Sequence, residues 1–261
     1  MPKFIHESAL VSPKAKIANN VHIGPYCVIG ENVKIAKNTR LISHVCISGN
    51  TVIGKGNIFY PFSSIGYVPQ DLKYNGEASK VVIGDNNVFR EHITIHLGTK
   101  GGGMITKISN NCLFMVGVHI AHDCIINNNV ILANNVILAG HVTIENNAII
   151  GGHSAVHQFV RIGCYAMIGG MSGVENDIIP YGNYNGIRSN LRGLNNIGLK
   201  RKGVKTNNIK IIHQAYKILF NKNYTILKNI EKIKKLKFKL SEVNQIIKFI
   251  TEKSKRGICT P

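Results

Sequence analysis

The run Val130-Ile131-Leu132-Ala133-Asn134-Asn135-Val136-Ile137-Leu138-Ala139-Gly140-His141-Val142-Thr143-Ile144 decides the architecture. Leu132, Leu138 and Ile144 recur at every sixth position, and a smaller residue (Val130, Val136, Val142) stands two places before each. An amphipathic helix requires apolar residues about every 3.6 positions, and a meander of ordinary strands shows turn signals roughly every 8 to 12. A period of six satisfies neither. It suits a triangular solenoid, in which one aliphatic side chain per short flat strand points inward, a small residue fills in beside it, and polar residues turn the corner.

Outward from this run the same period continues through Ile150, Val156, Ile162, Ile168 and Val174, and back through Ile126, Ile120, Phe114 and Ile108. It is also present at Ile83, Phe89 and Ile95, and from Ile5 through Val11, Ile17, Ile23, Ile29, Ile35, Leu41, Ile47, Ile53 and Phe59 to Ile65, making 26 hexads in all. Three hexads close one triangular coil. Coils stacked at about 4.8 Å through strand hydrogen bonds give a prism roughly 40 Å long.

The two breaks in register are loops ejected from the prism, at 66–82 and at 97–107, the second carrying Gly101-Gly102-Gly103. Insertions of this kind either decorate a corner or wall a cleft. From about Pro180 the repeat dissolves, and after Gly203 the spacing becomes helical. Ile209, Ile212, Ala215, Tyr216 and Leu219 form one stripe, and Ile226, Ile230, Ile233 and Leu236 form another. Ser241 is placed to cap a last helix that Gly257 would end. The expected organisation is a β-helix domain over 1–187 and a helical domain over 188–261.

Composition agrees with this reading. The 261 residues include no Trp and 26 Gly, so small and β-branched residues must fill the core. The N-terminus lacks a signal-peptide stretch, and no run approaches the roughly 18 apolar residues of a membrane span, so a cytoplasmic protein is expected. Six dispersed cysteines without a C-x-x-C pair point to reduced thiols, mostly buried. The formal charge is +19, and 188–256 holds 19 Lys or Arg against Glu231, Glu242 and Glu252. A basic segment of this kind favours acidic partners.

The chemistry-bearing residues concentrate on the middle coils: His96, His119, His122, His141 and His157. With one coil of three hexads as a ruler, His122 lies beneath Gly140 and Gln158, and Asp123 lies beneath His141 and Phe159. One face thus presents an imidazole, a carboxylate, a glycine backbone and a carboxamide. A lone strand histidine is usually structural, but five beside two loops are not lone.

The ordered motifs HIAHDC, LANNVILAGHV, IIGGHSAVHQF and IGGMSGV, with QDLKYNGE in the first loop and GLKRKG after the prism, resemble the bacterial UDP-N-acetylglucosamine 3-O-acyltransferases over nearly the whole chain. The resemblance implies a left-handed parallel β-helix, an exception to usual crossover handedness, and a homotrimer. It also implies transfer of a 3-hydroxy fatty acyl group from acyl carrier protein to UDP-N-acetylglucosamine, the first step of lipid A synthesis, without a cofactor or metal. By matching position, His122 would be the general base, Asp123 its orienting partner and Gly140 the donor to the thioester oxyanion. Gln70, Asp71, Lys73, His96, His119, His141, His157 and Gln158 would surround the sugar and diphosphate, Asn195 and Arg201 would contact the nucleotide, and Gly170 would gate acyl length. Where the family has a glutamate two residues after the asparagine, this chain has Ile197.

Four alternatives make different demands. The related N-acyltransferase of the same pathway usually carries an additional N-terminal domain, whereas the repeats here begin at Ile5. A zinc carbonic anhydrase on the same solenoid needs three histidines converging on one metal, and the His119/His122 spacing does not resemble its ligand pair. An ice-binding or scaffold prism would favour flat Thr faces. Nucleic-acid binding is suggested by charge alone, without a recognition motif.

Overall fold

A computed structural model describes residues 2–261. Two-residue strands centred on the hexad aliphatics pair in parallel one coil apart: Phe114 with Leu132, Leu132 with Ile150, and Ile150 with Ile168. Ile120 pairs likewise with Leu138, and Ile126 with Ile144. The three faces carry eleven, nine and eight strands. Face A holds the Leu132 column, face B the Leu138 column and face C the Ile144 column.

In the middle coils both inward positions of the hexad are sealed, with Val130, Leu132, Val136, Leu138, Val142 and Ile144 all fully buried, while Ile5, Val11 and Ile17 of the first coil are partly buried. Each such aliphatic stabilises the prism by about 1.5–3 kcal/mol. On face A the column widens into stacked Phe59, Phe89 and Phe114, with centroids 4.5 and 5.0 Å apart. The third residue after most of the aliphatics turns the corner in the left-handed backbone region, as Asn129, Asn135, His141 and Asn147 do. This explains the recurrence of Asn there, the non-glycine residue best suited to that conformation.

The loops are shorter than the register break suggested. Strands Ser64–Tyr67 and Lys80–Ile83 flank the first, and Thr94–His96 and Ile105–Ile108 flank the second. Lys80–Ile83 pairs along its whole length with Asn50–Ile53 and with Ile105–Ile108, so four-residue ladders consume both loop bases.

Past Val174 the chain closes the prism with an antiparallel hairpin, Gly182–Asn185 against Asn190–Leu194, that extends face A. The division expected at 187/188 falls in the turn of this hairpin, so strand pairing joins the two parts there. Four helices follow: α1 (Asn196–Arg201), α2 (Thr206–Leu219), α3 (Ile226–Lys235) and α4 (Ser241–Thr251). The expected stripes bury Ile212, Ala215, Tyr216, Leu219, Ile230 and Ile233.

Two helix boundaries differ from expectation. Ser241 opens α4 as its first helical residue, and its hydroxyl bonds the Glu242 carboxylate instead of a backbone amide. The helix stops at Thr251, whose hydroxyl turns back to the carbonyls of Ile247 and Lys248 while Glu252 becomes extended. Gly257, with φ +68°, therefore bends a terminal strap and ends no helix. That strap returns to the prism end, where the Cys259 N–H donates to the Asp177 carbonyl and the Asp177 N–H to the Gly257 carbonyl.

Candidate active site

The corner between faces B and C carries the catalytic candidates. Neighbouring residues in an extended strand point to opposite faces, but His122 and Asp123 sit in a turn. With Asp123 at φ +59°, the two side chains converge, and His122 Nδ1 lies 2.9 Å from Asp123 Oδ2. A carboxylate accepts, so Nδ1 carries the ring proton and Nε2 presents its lone pair. Asp123 is itself pinned: its Oδ2 accepts from the Thr99 hydroxyl at 2.6 Å and its Oδ1 from the Thr99 N–H at 3.0 Å. The Asp123 N–H donates to the Thr106 hydroxyl at 2.8 Å. Thr99 and Thr106 belong to the second loop and the strand after it, neither of which the hexad pattern points to. Gly102 completes this clamp, because a Cβ there would fall 2.0 Å from Asp123 Cγ.

One coil above, the backbone of His141 donates to the His122 carbonyl, close to where the coil ruler puts it. Gly140 lies flat against the imidazole, and a Cβ at that position would be 2.4 Å from His122 Cε1. The Gly140 N–H donates to no protein acceptor among the described residues, which leaves it free for an oxyanion. His141 meets the His122 ring edge-on at 4.9 Å and stacks on Phe159 at 4.4 Å. His96 and His119 form a second edge-to-face pair at 5.0 Å, with His119 Nδ1 bonded to the Thr94 hydroxyl at 2.7 Å.

Burial pushes the pKa of His96 down to about 4, with His119 and His122 adding to the effect. Burial likewise lowers that of His119, and that of His141 more than the Asp123 carboxylate raises it. Burial thus favours the neutral form of all three rings. The first loop brings Asp71 Oδ2 to 4.0 Å from His122 Nε2. Gln70 and Lys73 stand exposed on either side of Asp71, and the Lys73 N–H donates to Asp71 Oδ1. His157 and Gln158 are exposed above the corner.

Other expected residues stand elsewhere. Asn195 and Arg201 lie beside the corner between faces C and A, on a cavity of about 640 Å³ with Ile131, Ile149, Met167 and Ile197. Asn195 is also structural, its Oδ1 accepting from the Gly198 N–H and its Nδ2 donating to the Tyr165 carbonyl. Gly170 is exposed at the A/B corner, three coils beyond the one that holds His122, where a Cβ would meet the Gly152 carbonyl oxygen at 3.1 Å.

Ligand-type atoms of His122, Asp123 and His141 lie within 4.8 Å of one another, a separation compatible with a metal ion. Their lone pairs are committed differently. Asp123 accepts from Thr99 and from His122 Nδ1, while His122 Nε2 faces Gly140 and Asp71. The set is organised as a hydrogen-bonded imidazole held by a fixed carboxylate.

Residues 177–259 match the sequence family described as Udp N-acetylglucosamine O-acyltransferase, Domain 2, and residues 2–37 and 105–140 match the bacterial transferase hexapeptide family. The acyl-[acyl-carrier-protein]--UDP-N-acetylglucosamine O-acyltransferase of Thermodesulfovibrio yellowstonii is 51% identical over 255 residues, 98% of each chain. LpxA from Acinetobacter baumannii superposes with a TM-score of 0.95 at 43% identity, covering 98% of this chain and 99% of its own. The UDP-N-acetylglucosamine acyltransferase of Francisella novicida also reaches 0.95, at 42% identity over 99% and 94% of the two chains. Superposition at that level distinguishes a coil from its mirror image, so the solenoid is the left-handed β-helix. With near-complete coverage at this identity, the chain belongs to the acyl-[acyl-carrier-protein]--UDP-N-acetylglucosamine O-acyltransferase family.

Proposed function

We propose that this chain transfers a 3-hydroxy fatty acyl group from acyl carrier protein to the 3-hydroxyl of UDP-N-acetylglucosamine, the first step of lipid A synthesis, with His122 as general base. The observation that carries this assignment is the His122 ring, held by Asp123 on one nitrogen and open on the other against a free Gly140 amide. His122 Nε2 takes the proton of the sugar 3-hydroxyl as its oxygen attacks the thioester carbonyl. The resulting oxyanion is received by the Gly140 N–H, a donor of a kind that stabilises the transition state by about 3 kcal/mol. Collapse expels the carrier's thiolate, which the His122 imidazolium reprotonates, leaving the ester and a free thiol. Gln70, Asp71, Lys73, His96, His119, His141, His157 and Gln158 bind the sugar and diphosphate around this point. Neither a metal nor a cofactor takes part.

The same reading makes the enzyme a homotrimer with shared sites. Outward positions of face A beyond Arg40 are apolar (Ile58, Val88, Leu113, Ile131, Ile149, Met167), as are Leu10, Val28 and Ile137 on face B, whereas face C mixes Lys16, Lys34, Lys107 and Arg161 with Val52, Val82 and Ile125. Between faces A and B runs an aromatic ladder, Tyr26, His44, Phe62 and His92, with ring centroids 4.9 to 5.1 Å apart. Threefold packing that covers faces A and B sets this ladder near the axis and leaves face C in water. It also sets the B/C corner of one subunit beside the C/A corner of the next. His122 then meets the neighbouring subunit's Asn195 and Arg201, which in a single chain stand at a different corner. Soluble substrates of this kind accord with a cytoplasmic location, and no helix is long and apolar enough to cross a membrane.

The test is turnover with 3-hydroxyacyl carrier proteins and UDP-N-acetylglucosamine, with the product linkage read by NMR. An ester at O3, formed at a rate unchanged by chelator, is expected. An N-linked product, or turnover that requires zinc, overturns the reading.

A further inference from the structure

The C-terminal strap, 99 residues distant in sequence from His157, docks on the catalytic corner through side chains that the reaction just described does not use. Arg256 Nε donates to the Gln158 carbonyl at 2.7 Å, and its Nη2 contacts His157 Nδ1. Next to it, Lys255 Nζ stands 3.9 Å over the Phe159 ring, which stacks on His141. The strap's path is set independently of these side chains. Asn176 Nδ2 donates to the Arg256 carbonyl at 2.7 Å, and backbone bonds tie Gly257 and Cys259 to Asp177.

A guanidinium offers only donors and keeps its proton under all physiological conditions, so the His157 nitrogen facing it must be the acceptor. The His157 proton is thereby confined to Nε2. A free imidazole exchanges between two tautomers, and only the Nε2–H form presents a donor on the side away from the strap. We propose that Arg256 is a positioning residue: it locks His157 as the Nε2–H tautomer and anchors the Gln158 backbone, so that the corner offers a fixed N–H donor to an acceptor oxygen of the bound nucleotide sugar. The inference rests on the reading of His157 as a substrate-binding residue. Its chemistry is the one by which a second partner orients a functional imidazole. The last residues of the chain thereby complete a site built by the middle coils.

The experiment combines NMR with a double-mutant cycle in the full-length protein. Long-range ¹H–¹⁵N spectra should show His157 as the Nε2–H tautomer in the wild type and as a mixture in Arg256→Met. Arg256→Met should raise KM for UDP-N-acetylglucosamine about two- to threefold, because only the fraction of sites in the Nε2–H tautomer binds productively, with kcat changed less than KM. Arg256→Lys keeps the charge and the strap but not the forked donor, and should recover only part of the loss. His157→Ala combined with Arg256→Met should be no worse than His157→Ala alone. A wild-type tautomer retained in Arg256→Met, or additive losses in the double variant, overturns the proposal. A mixed tautomer together with an unchanged KM in His157→Ala instead removes His157 from substrate binding, and the proposed role of Arg256 falls with it.

Discussion

Replacing Gly140 by Ala tests the site's geometry with one carbon atom. The added Cβ would lie 2.4 Å from His122 Cε1, 2.5 Å from Nε2 and 3.1 Å from Nδ1, where ordinary contact begins at 3.4 Å. The imidazole must therefore retreat by about 1 Å, the scale of misplacement that typically costs around 100-fold in rate. The Nδ1 bond to Asp123, now 2.9 Å, cannot survive that motion, because Thr99 holds the carboxylate in place. Ala keeps the backbone N–H, so any loss reports on the displaced base and leaves the oxyanion donor intact. Gly140 also lies outside the left-handed backbone region, so no conformational penalty confuses the result. Steady-state kinetics should show kcat down by roughly 100-fold, about 2.7 kcal/mol of barrier, with both KM values nearly unchanged. A kcat within threefold of wild type in a folded variant would refute the argument that the ring's position matters.

Three further outcomes follow from the same structure. Gly170→Met should shift preference toward shorter acyl donors by filling the groove end, as measured by competition among carrier-protein thioesters; an unaltered length profile would move the ruler elsewhere, with Met171 next. Burial holds the pKa of folded His96 at about 4, so between the unfolded value near 6.5 and that point only the unfolded chain takes up the proton. Stability from this residue is thus complete above pH 6.5 and falls as pH drops, by about 2 kcal/mol per subunit at pH 5; urea unfolding of wild type against His96→Gln should show the difference only below pH 6.5. Raising ionic strength from about 0.05 to 0.5 M shortens the Debye length from roughly 14 to 4 Å, and should raise KM for acyl carrier protein severalfold. Charge reversal at Lys200, Lys205 and Lys210 should mimic that rise, and insensitivity to both would discard the basic domain as the docking surface. Lys202 is left out because Glu242 already holds its ammonium at 3.3 Å.

The solenoid was legible because one residue in six has no freedom: each points into a core too narrow for alternatives. The vertical neighbours of His122 followed from the same constraint, since an uninterrupted coil returns after three hexads, as Ile120 to Leu138 does. The ruler fails across the loops, where Thr94 pairs with His119 and Ser64 with Thr94, each over a longer stretch of chain than three hexads span. Two features had no periodic signal: Thr99 reaches Asp123 from an ejected loop, and Arg256 arrives from the C-terminal strap. The convergence of His122 with Asp123 lies within the period, because Asp123 is the third residue after Ile120 and takes the same left-handed corner conformation as Asn129 and Asn135, where strand alternation alone would have the two side chains diverge. The small helix α1 was likewise hidden, because six residues display too little periodicity to register.

The central claim is that His122 removes the proton from the attacking hydroxyl, and the most direct measurement is kcat of His122→Ala with 3-hydroxyacyl carrier protein and UDP-N-acetylglucosamine. General-base catalysis typically contributes about 10²- to 10⁴-fold. The account predicts a loss in that range with the oligomeric state unchanged and a modest fall in thermal stability, since the ring is buried and bonds the buried Asp123 carboxylate. Retention of more than a tenth of wild-type turnover would contradict it and remove His122 from the base role.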